Sequence, residues 1–222
     1  MARTIDHARF WDAIARKYAA DRIGDMAGYE RTVERTRQLL GSADTVLEIG
    51  CGTGTTALKL APSLSRIVAT DVSTEMVAIA REKAAAQGCQ NAEFTVADAT
   101  HVPGPDSAYD AVLAFNLLHL IADRPSTLKR IHRLLRPDGL FISKTPCLSE
   151  MNPLLRLGVP VARFFGKAPF VSFFRADQLE REIADTGFTI VERARHGSGR
   201  KDPRIFIVAR KVDAIDRHAM EA

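Results

Sequence analysis

Apolar residues along this chain follow two alternating patterns. Short stretches that are apolar at most positions, or at every second one, fall at 45–49, 66–70, 93–96, 110–115 and 140–144. Each is bounded by glycine or polar turn residues. Such stretches predict strands, and the DAVLAF run at 110–115 reads as a strand covered on both faces. Longer segments with helical signals separate them. Residues 55–61 read as a helix stopped by Pro62. Residues 73–87 read as another, with Ser73 placed to cap it, Glu75 in its first turn and Gly88 just past its end. Residues 125–135 read as a third, with Leu128, Ile131 and Leu135 on one side, followed by the turn Pro137-Asp138-Gly139. Strand alternating with helix at this spacing predicts an α/β fold, a parallel sheet with helices on both faces.

Three regions depart from the alternation. Residues 1–40 read as mostly helical and precede the first strand. Residues 147–175 are apolar, proline-bearing and irregular, and interrupt the chain after the fifth strand. In the tail, 176–185 reads as a helix and 189–195 and 204–209 as strands joined by the turn-rich HGSGRKDP, so the sheet is expected to end in a hairpin with an antiparallel strand. The length of 222 residues fits one domain spanning 1–222.

Composition adds little to that picture: 46% hydrophobic, 26% charged and a net charge of +4. Lys and Arg are scattered and form no dense cluster, which argues against nucleic acid as partner. The charged N-terminus lacks the apolar core of a signal peptide, and no apolar run reaches the 18 or so residues of a membrane span. Cys51, Cys89 and Cys147 are odd in number and far apart. That argues against a disulfide framework and a zinc site, and fits a cytoplasmic protein.

The candidate chemistry begins at Val46-Leu47-Glu48-Ile49-Gly50-Cys51-Gly52-Thr53-Gly54, an apolar run with one acid inside it, ending in three glycines at alternate positions. A glycine-rich turn between a first strand and its helix lets the backbone bend tightly and lets a ligand lie against bare peptide groups. Asp71 ends the second strand, where an acid commonly accepts hydrogen bonds from a ribose diol. Gly52-x-Gly54-x-x-Ala57 also satisfies a dinucleotide fingerprint, so spacing alone leaves an NAD(P)-binding oxidoreductase open. Glu48 bears on the choice. A pyrophosphate is repelled by a nearby carboxylate, whereas an ammonium or sulfonium is attracted, and S-adenosylmethionine carries both.

VLEIGCGTG, Asp71 in VATDVS, Asp98 in FTVADAT, then DAVLAFNLLHLI and LLRPDGLFISK stand in the order and spacing of the class I S-adenosylmethionine-dependent methyltransferases. The chain resembles that family over roughly residues 10–145, and its closing strands also fit. In style it resembles the small-molecule branch that includes the ubiquinone and menaquinone biosynthesis methyltransferases. The resemblance implies a Rossmann-like seven-stranded sheet of order 3-2-1-4-5-7-6 with the last strand antiparallel. It implies that Glu48 and the loop Gly50, Cys51, Gly52, Thr53 and Gly54 hold the methionine portion of S-adenosylmethionine. Asp71 would take the ribose hydroxyls, Val72 and Met76 would flank the adenine, and Asp98 with Ala99 would reach its amino group. Asn116 and Leu117 would face the methionine and the transferred methyl, and Tyr18 would close over it. A protein that keeps this fold and only binds the cofactor stands as a further alternative.

Methyl transfer from a sulfonium requires mainly that the acceptor be placed behind the carbon, and a general base only where the acceptor must lose a proton. His119, just after the fourth strand, is the candidate for that role, and His101 a weaker one. His7, His132, His196 and His218 read as structural or exposed. Residues 1–40 and the apolar segment 147–175 are expected to cover the site. The second of these would either line a pocket for a small lipophilic or aromatic acceptor, touch a membrane that supplies it, or simply complete the core. The sequence leaves the oligomeric state open.

Overall fold

The computed structural model describes residues 2–102, 104–199 and 202–212; His218 lies outside them. In chain order the helices are α1 (Ala2–Ala20), α2 (Met26–Leu39), α3 (Thr55–Leu60), α4 (Thr74–Ala86), α5 (Arg124–Leu134), α6 (Leu155–Phe164) and α7 (Ala176–Asp185). The strands are β1 (Thr45–Ile49), β2 (Arg66–Asp71), β3 (Ala92–Val96), β4 (Tyr109–Phe115), β5 (Leu135–Pro146), β6 (Phe188–Ala194) and β7 (Arg204–Lys211). They form one sheet of order β3-β2-β1-β4-β5-β7-β6. β7 runs antiparallel to both neighbours, while β3, β2, β1, β4 and β5 pair in parallel. The Rossmann-like sheet expected from the sequence is the one observed.

Alternation along the strands divides the core in two. Val46, Ile67, Ala111 and Leu113 meet Val33 of α2, Leu58 and Leu60 of α3, and Val77 and Ala80 of α4 on one face. Leu47, Val112, Phe141 and Ile207 meet Leu128 and Ile131 of α5 and Leu179 and Ile183 of α7 on the other. Local signals set the helix starts. The Ser73 hydroxyl accepts from the Met76 N–H at 3.1 Å, and the side chains of Asp25 and Asp123 cap α2 and α5 the same way.

β5 is longer than the expected 140–144. It begins at Leu135 and carries the Pro137-Asp138-Gly139 turn as an irregularity between the pairs Tyr109–Leu135 and Ala111–Leu140, with Asp138 at φ +60°. Backbone pairing with β4 resumes on both sides of the turn, which local turn chemistry does not reveal.

α1 sits apart from the main core. Ala15 packs with Met76 and Ile79 of α4, with Trp11 and Ala19 beside them. Asp12 Oδ1 accepts from the Ser73 hydroxyl at 2.6 Å and the Glu75 N–H at 3.1 Å, and Arg16 pairs with Glu82 at 2.8 Å on the surface. Among the described residues, no helix is long and apolar enough to cross a membrane.

Candidate functional site

β1 delivers the chain to the glycine loop. Gly50, Gly52 and Gly54 adopt φ of +71°, +54° and +73°, left-handed conformations that side chains rarely tolerate. The N–H groups of Gly50 and Cys51 both donate to the Thr70 carbonyl, at 2.7 and 2.9 Å, folding the loop against the end of β2. A Cβ on Gly50 would lie 2.7 Å from Leu117 Cδ1, so its absence lets the chain after β4 approach. Gly54 has another use. A Cβ there would meet Phe94 Cε1 at 2.7 Å and Ala80 Cβ at 2.8 Å, so this glycine allows α3, α4 and β3 to pack.

Beyond the carboxyl ends of the strands lies a cleft of about 1130 Å³, on the large side for a small-molecule site. Its walls include Glu48, Gly50, Cys51, Gly52 and Thr53 from β1 and the loop, Asp71, Val72 and Met76 from β2 and α4, Asp98 and Ala99 after β3, and Asn116 and Leu117 after β4. Tyr18 of α1 also lines it; a Cβ on Gly52 would lie 3.9 Å from Tyr18 Cε1. Asn116 is held at φ +52°, its N–H donating to the Lys144 carbonyl at 2.7 Å. Asn is among the residues that tolerate this conformation, which clusters at functional sites.

Glu48 is the most unusual group in the cleft. It lies between Ala69 and Leu113 in the sheet and is 2% exposed. The Ala57 N–H donates to its carboxyl group, but Oε2 has no protein partner. Burial pushes the carboxyl up to about 8, Asp71 adds to the rise, and the Ala57 N–H opposes it. Asp71 Oδ2 accepts from the Gly52 N–H at 2.8 Å and Oδ1 from the Ser73 N–H at 2.9 Å, and the Val72 N–H also donates to the carboxylate, which thus fixes loop and turn. Its pKa is raised, chiefly by burial, against these hydrogen bonds. Asp98 Oδ1 accepts from the Thr100 N–H and hydroxyl, at 2.8 and 2.6 Å. Burial likewise pushes the Cys51 thiol well up, away from the thiolate that a nucleophile needs.

The structure does not bring His119 to the cleft. Residues Leu118–Leu120 form a 3-10 turn, in which successive side chains point about 120° apart. Leu117 and Leu120 face the cleft, whereas the His119 ring turns to β5, with Nδ1 3.1 Å from the Thr145 hydroxyl. Burial pushes its pKa down to about 4. His101 is exposed and contacts Thr100. His132 packs edge-on against Phe188, and His196 packs on Phe206. His7, in contrast with the expectation, lines the cleft, 6.0 Å from the Phe170 ring. Sequence reading also missed Trp11, Tyr29, Thr56 and Lys83. Tyr29 lies 3.4 Å from the Thr56 hydroxyl, and Lys83 Nζ donates to the hydroxyls of Thr53 at 2.9 Å and Thr55 at 3.2 Å. Trp11, Tyr29 and Lys83 come from helices away from the loop and Thr56 from the first turn of α3 just after it, and no local motif marks them.

A buried acid in the cleft wall with one oxygen unpartnered, a glycine loop with its N–H edge bent over, and an acid ending β2 fit a cofactor with a cationic end and a ribose. S-adenosylmethionine is one such cofactor, and the fold and this arrangement of loop and acids are compatible with it. Residues 46–139 match the model of the methyltransferase domain family. Among curated proteins the chain is similar to an uncharacterized methyltransferase, YcgJ, of Bacillus subtilis (strain 168), 31% identical over 142 residues that cover 60% of this chain and 56% of that protein. It is also similar to a demethylmenaquinone methyltransferase of Clavibacter sepedonicus, 34% identical over 102 residues, covering 46% of this chain and 40% of the relative. The chain thus spans about half the length of the curated relatives it matches. Among solved structures, the complex of the Haloferax volcanii Trm112 methyltransferase activator with a methyltransferase shares the fold at a TM-score of 0.76 and 18% identity, covering 93% of this chain and 98% of that one.

Proposed function

We propose that this chain transfers the methyl group of S-adenosylmethionine to a small lipophilic or aromatic acceptor by in-line displacement. The observation that carries the reading is the unpartnered Oε2 of buried Glu48 in the cleft wall. A neutral or anionic ligand leaves that oxygen unsatisfied, whereas an ammonium group pairs with it and stabilises the ionised form. When bound, the cofactor supplies a methyl already activated by its positive sulfur.

The chain's own residues then have defined tasks. Glu48 and the loop from Gly50 to Gly54 hold the methionine end, and Asp71 accepts from the ribose hydroxyls. Val72 and Met76 sandwich the adenine, Asp98 and Ala99 meet its amino group, and Asn116 and Leu117 flank the methyl. Tyr18 closes the cleft from α1. Trp11, Leu120, Ile121 and Phe170 give the cleft an apolar wall for the acceptor, and the cover expected over 1–40 and 147–175 would act through the residues of those segments that line it, Trp11, Tyr18, Arg163 and Phe170 among them. The Clavibacter relative, named for a lipophilic acceptor, supports this choice. Placement carries most of the catalysis, because excluding water and aligning the acceptor are what the cleft can do.

The test is calorimetric titration of the protein with S-adenosylmethionine, S-adenosylhomocysteine and NADH, on wild type and Asp71→Ala. Micromolar binding of the first two, lost in the variant, is the expected result. Preference for NADH would overturn the reading in favour of an oxidoreductase.

A further inference from the structure

Residues 151–176 contain no Asp or Glu and four cations, Arg156, Arg163, Lys167 and Arg175. This short stretch carries as much formal charge as the whole chain. α6 lies within it and buries none of its residues. Leu154, Leu157, Val161 and Phe164 recur at three- and four-residue steps, which places them on one side of the helix, with Phe165 adjoining. These five side chains are between 58% and 84% exposed. A contiguous apolar face of this kind marks an interaction site.

Arg156 and Arg163 fall on the side of α6 away from that face, as the charged side of an interfacial helix does. The guanidinium of Arg163 lies 5.2 Å from the centre of the Phe170 ring, and that of Arg156 lies 5.9 Å from the centre of Phe173. Among the described residues, no carboxylate comes within ion-pair distance of Arg156, Arg163 or Lys167. Arg163 and Phe170 also line the cleft, so the exposed face is continuous with its mouth.

We propose that α6 and its flanks dock this protein on an anionic membrane surface. A membrane offers at once what the patch lacks: an apolar interior for Leu154, Leu157, Val161, Phe164 and Phe165, and anionic headgroups at the level of the arginines and Lys167. An acidic protein groove would satisfy the cations and leave less room for five protruding apolar tips. Docking in this pose turns the cleft mouth toward the bilayer. A lipophilic acceptor then enters along Phe170 without crossing water, a consequence that rests on the acceptor class proposed above, whereas the docking rests on the surface alone.

Flotation with vesicles tests it, comparing phosphatidylcholine alone with phosphatidylcholine mixed with phosphatidylglycerol. The wild-type chain is expected to float with the anionic vesicles, and less so as salt screens the charges. Leu157→Ser with Phe164→Ser, and separately Arg156→Glu with Lys167→Glu, are each expected to lower the bound fraction by about tenfold or more. None of these four residues lines the cleft, so melting temperature and affinity for S-adenosylhomocysteine should stay at wild-type values. No flotation of wild type, or equal flotation of the variants, overturns the proposal. So does a dimer in sedimentation velocity that Leu157→Ser with Phe164→Ser dissolves, which would assign the face to a second copy. Failure of the methyltransferase reading would show separately, as absent S-adenosylhomocysteine binding in a protein that still floats.

Discussion

Glu48→Gln keeps the shape of the side chain and removes its titration. In the folded protein the carboxyl titrates near 8, against about 4.3 for an unfolded glutamate. The folded pKa is raised, so its contribution is fully present at low pH and is lost as pH rises through about 8. The unfolded chain is already ionised above neutrality. Between about pH 7 and about pH 9.5 the wild type should therefore lose about 1.4 kcal/mol from this group alone, or roughly 3–5 °C in melting temperature for a chain of this size. His119 does not confound the window: its pKa is lowered to about 4, so its stabilisation is present above its unfolded value near 6.5 and is lost only as pH falls below it. Asp71, whose pKa is also raised, is common to both proteins, and its coupling to Glu48 is part of the difference read here. Scanning calorimetry of wild type against Glu48→Gln over that range is the first assay. The second is titration with S-adenosylmethionine at neutral pH in buffers of differing ionisation enthalpy. Wild type should release close to one proton on binding as the ammonium ionises Glu48. The variant should release none from this site and bind roughly ten- to hundredfold more weakly, the scale of a hydrogen bond to a charged group. An unchanged pH slope together with unchanged proton release in Glu48→Gln would refute the assignment of a cation to this acid.

Asp71→Ala removes both the proposed ribose acceptor and the carboxylate that the Gly52 and Ser73 N–H groups donate to; melts should show a loss of about 1–3 kcal/mol, and titration a loss of nucleoside binding. Gly54→Ala forces a side chain into φ +73° and within 2.7 Å of Phe94, and should cost about 2–4 kcal/mol in denaturant unfolding, partly restored by Phe94→Leu. His119→Ala should leave the turnover number within about twofold once an acceptor is found, because the ring faces Thr145; a loss of about 10²-fold or more, with a shifted pH profile, would return it to the mechanism.

The sheet was legible because its strands are written in local patterns: apolar runs at 46–49 and 110–115, each ending where the chain must turn. The glycine loop and Asp71 were legible for a similar reason, since backbone conformations at positive φ demand glycine and the acid follows at a fixed interval. His119 shows where that logic stops. Its neighbours Leu117 and Leu120 reach the cleft, and only the phase of a single 3-10 turn, set by packing of the chain after β4, sends the histidine the other way. His7, Trp11 and Lys83 were illegible for another reason. They reach the cleft through the docking of α1 and α4, which a pattern along one helix does not encode. The start of β5 was misplaced because Pro137-Asp138-Gly139 has turn chemistry, and pairing with β4 overrides it.

α1 is joined to the rest of the molecule by a seam of Ala15, Trp11 and Ala19 against Met76 and Ile79, by the Asp12 bonds to Ser73 and Glu75, and by an exposed ion pair. Such a pair contributes little in water. Yet the same helix lines the cleft with His7, Trp11 and Tyr18, the last two in edge contact at 6.2 Å. Under the proposed function, the residence of cofactor and product would follow the strength of that seam, and Ile79, which does not line the cleft, is where it can be tuned without touching a cofactor contact.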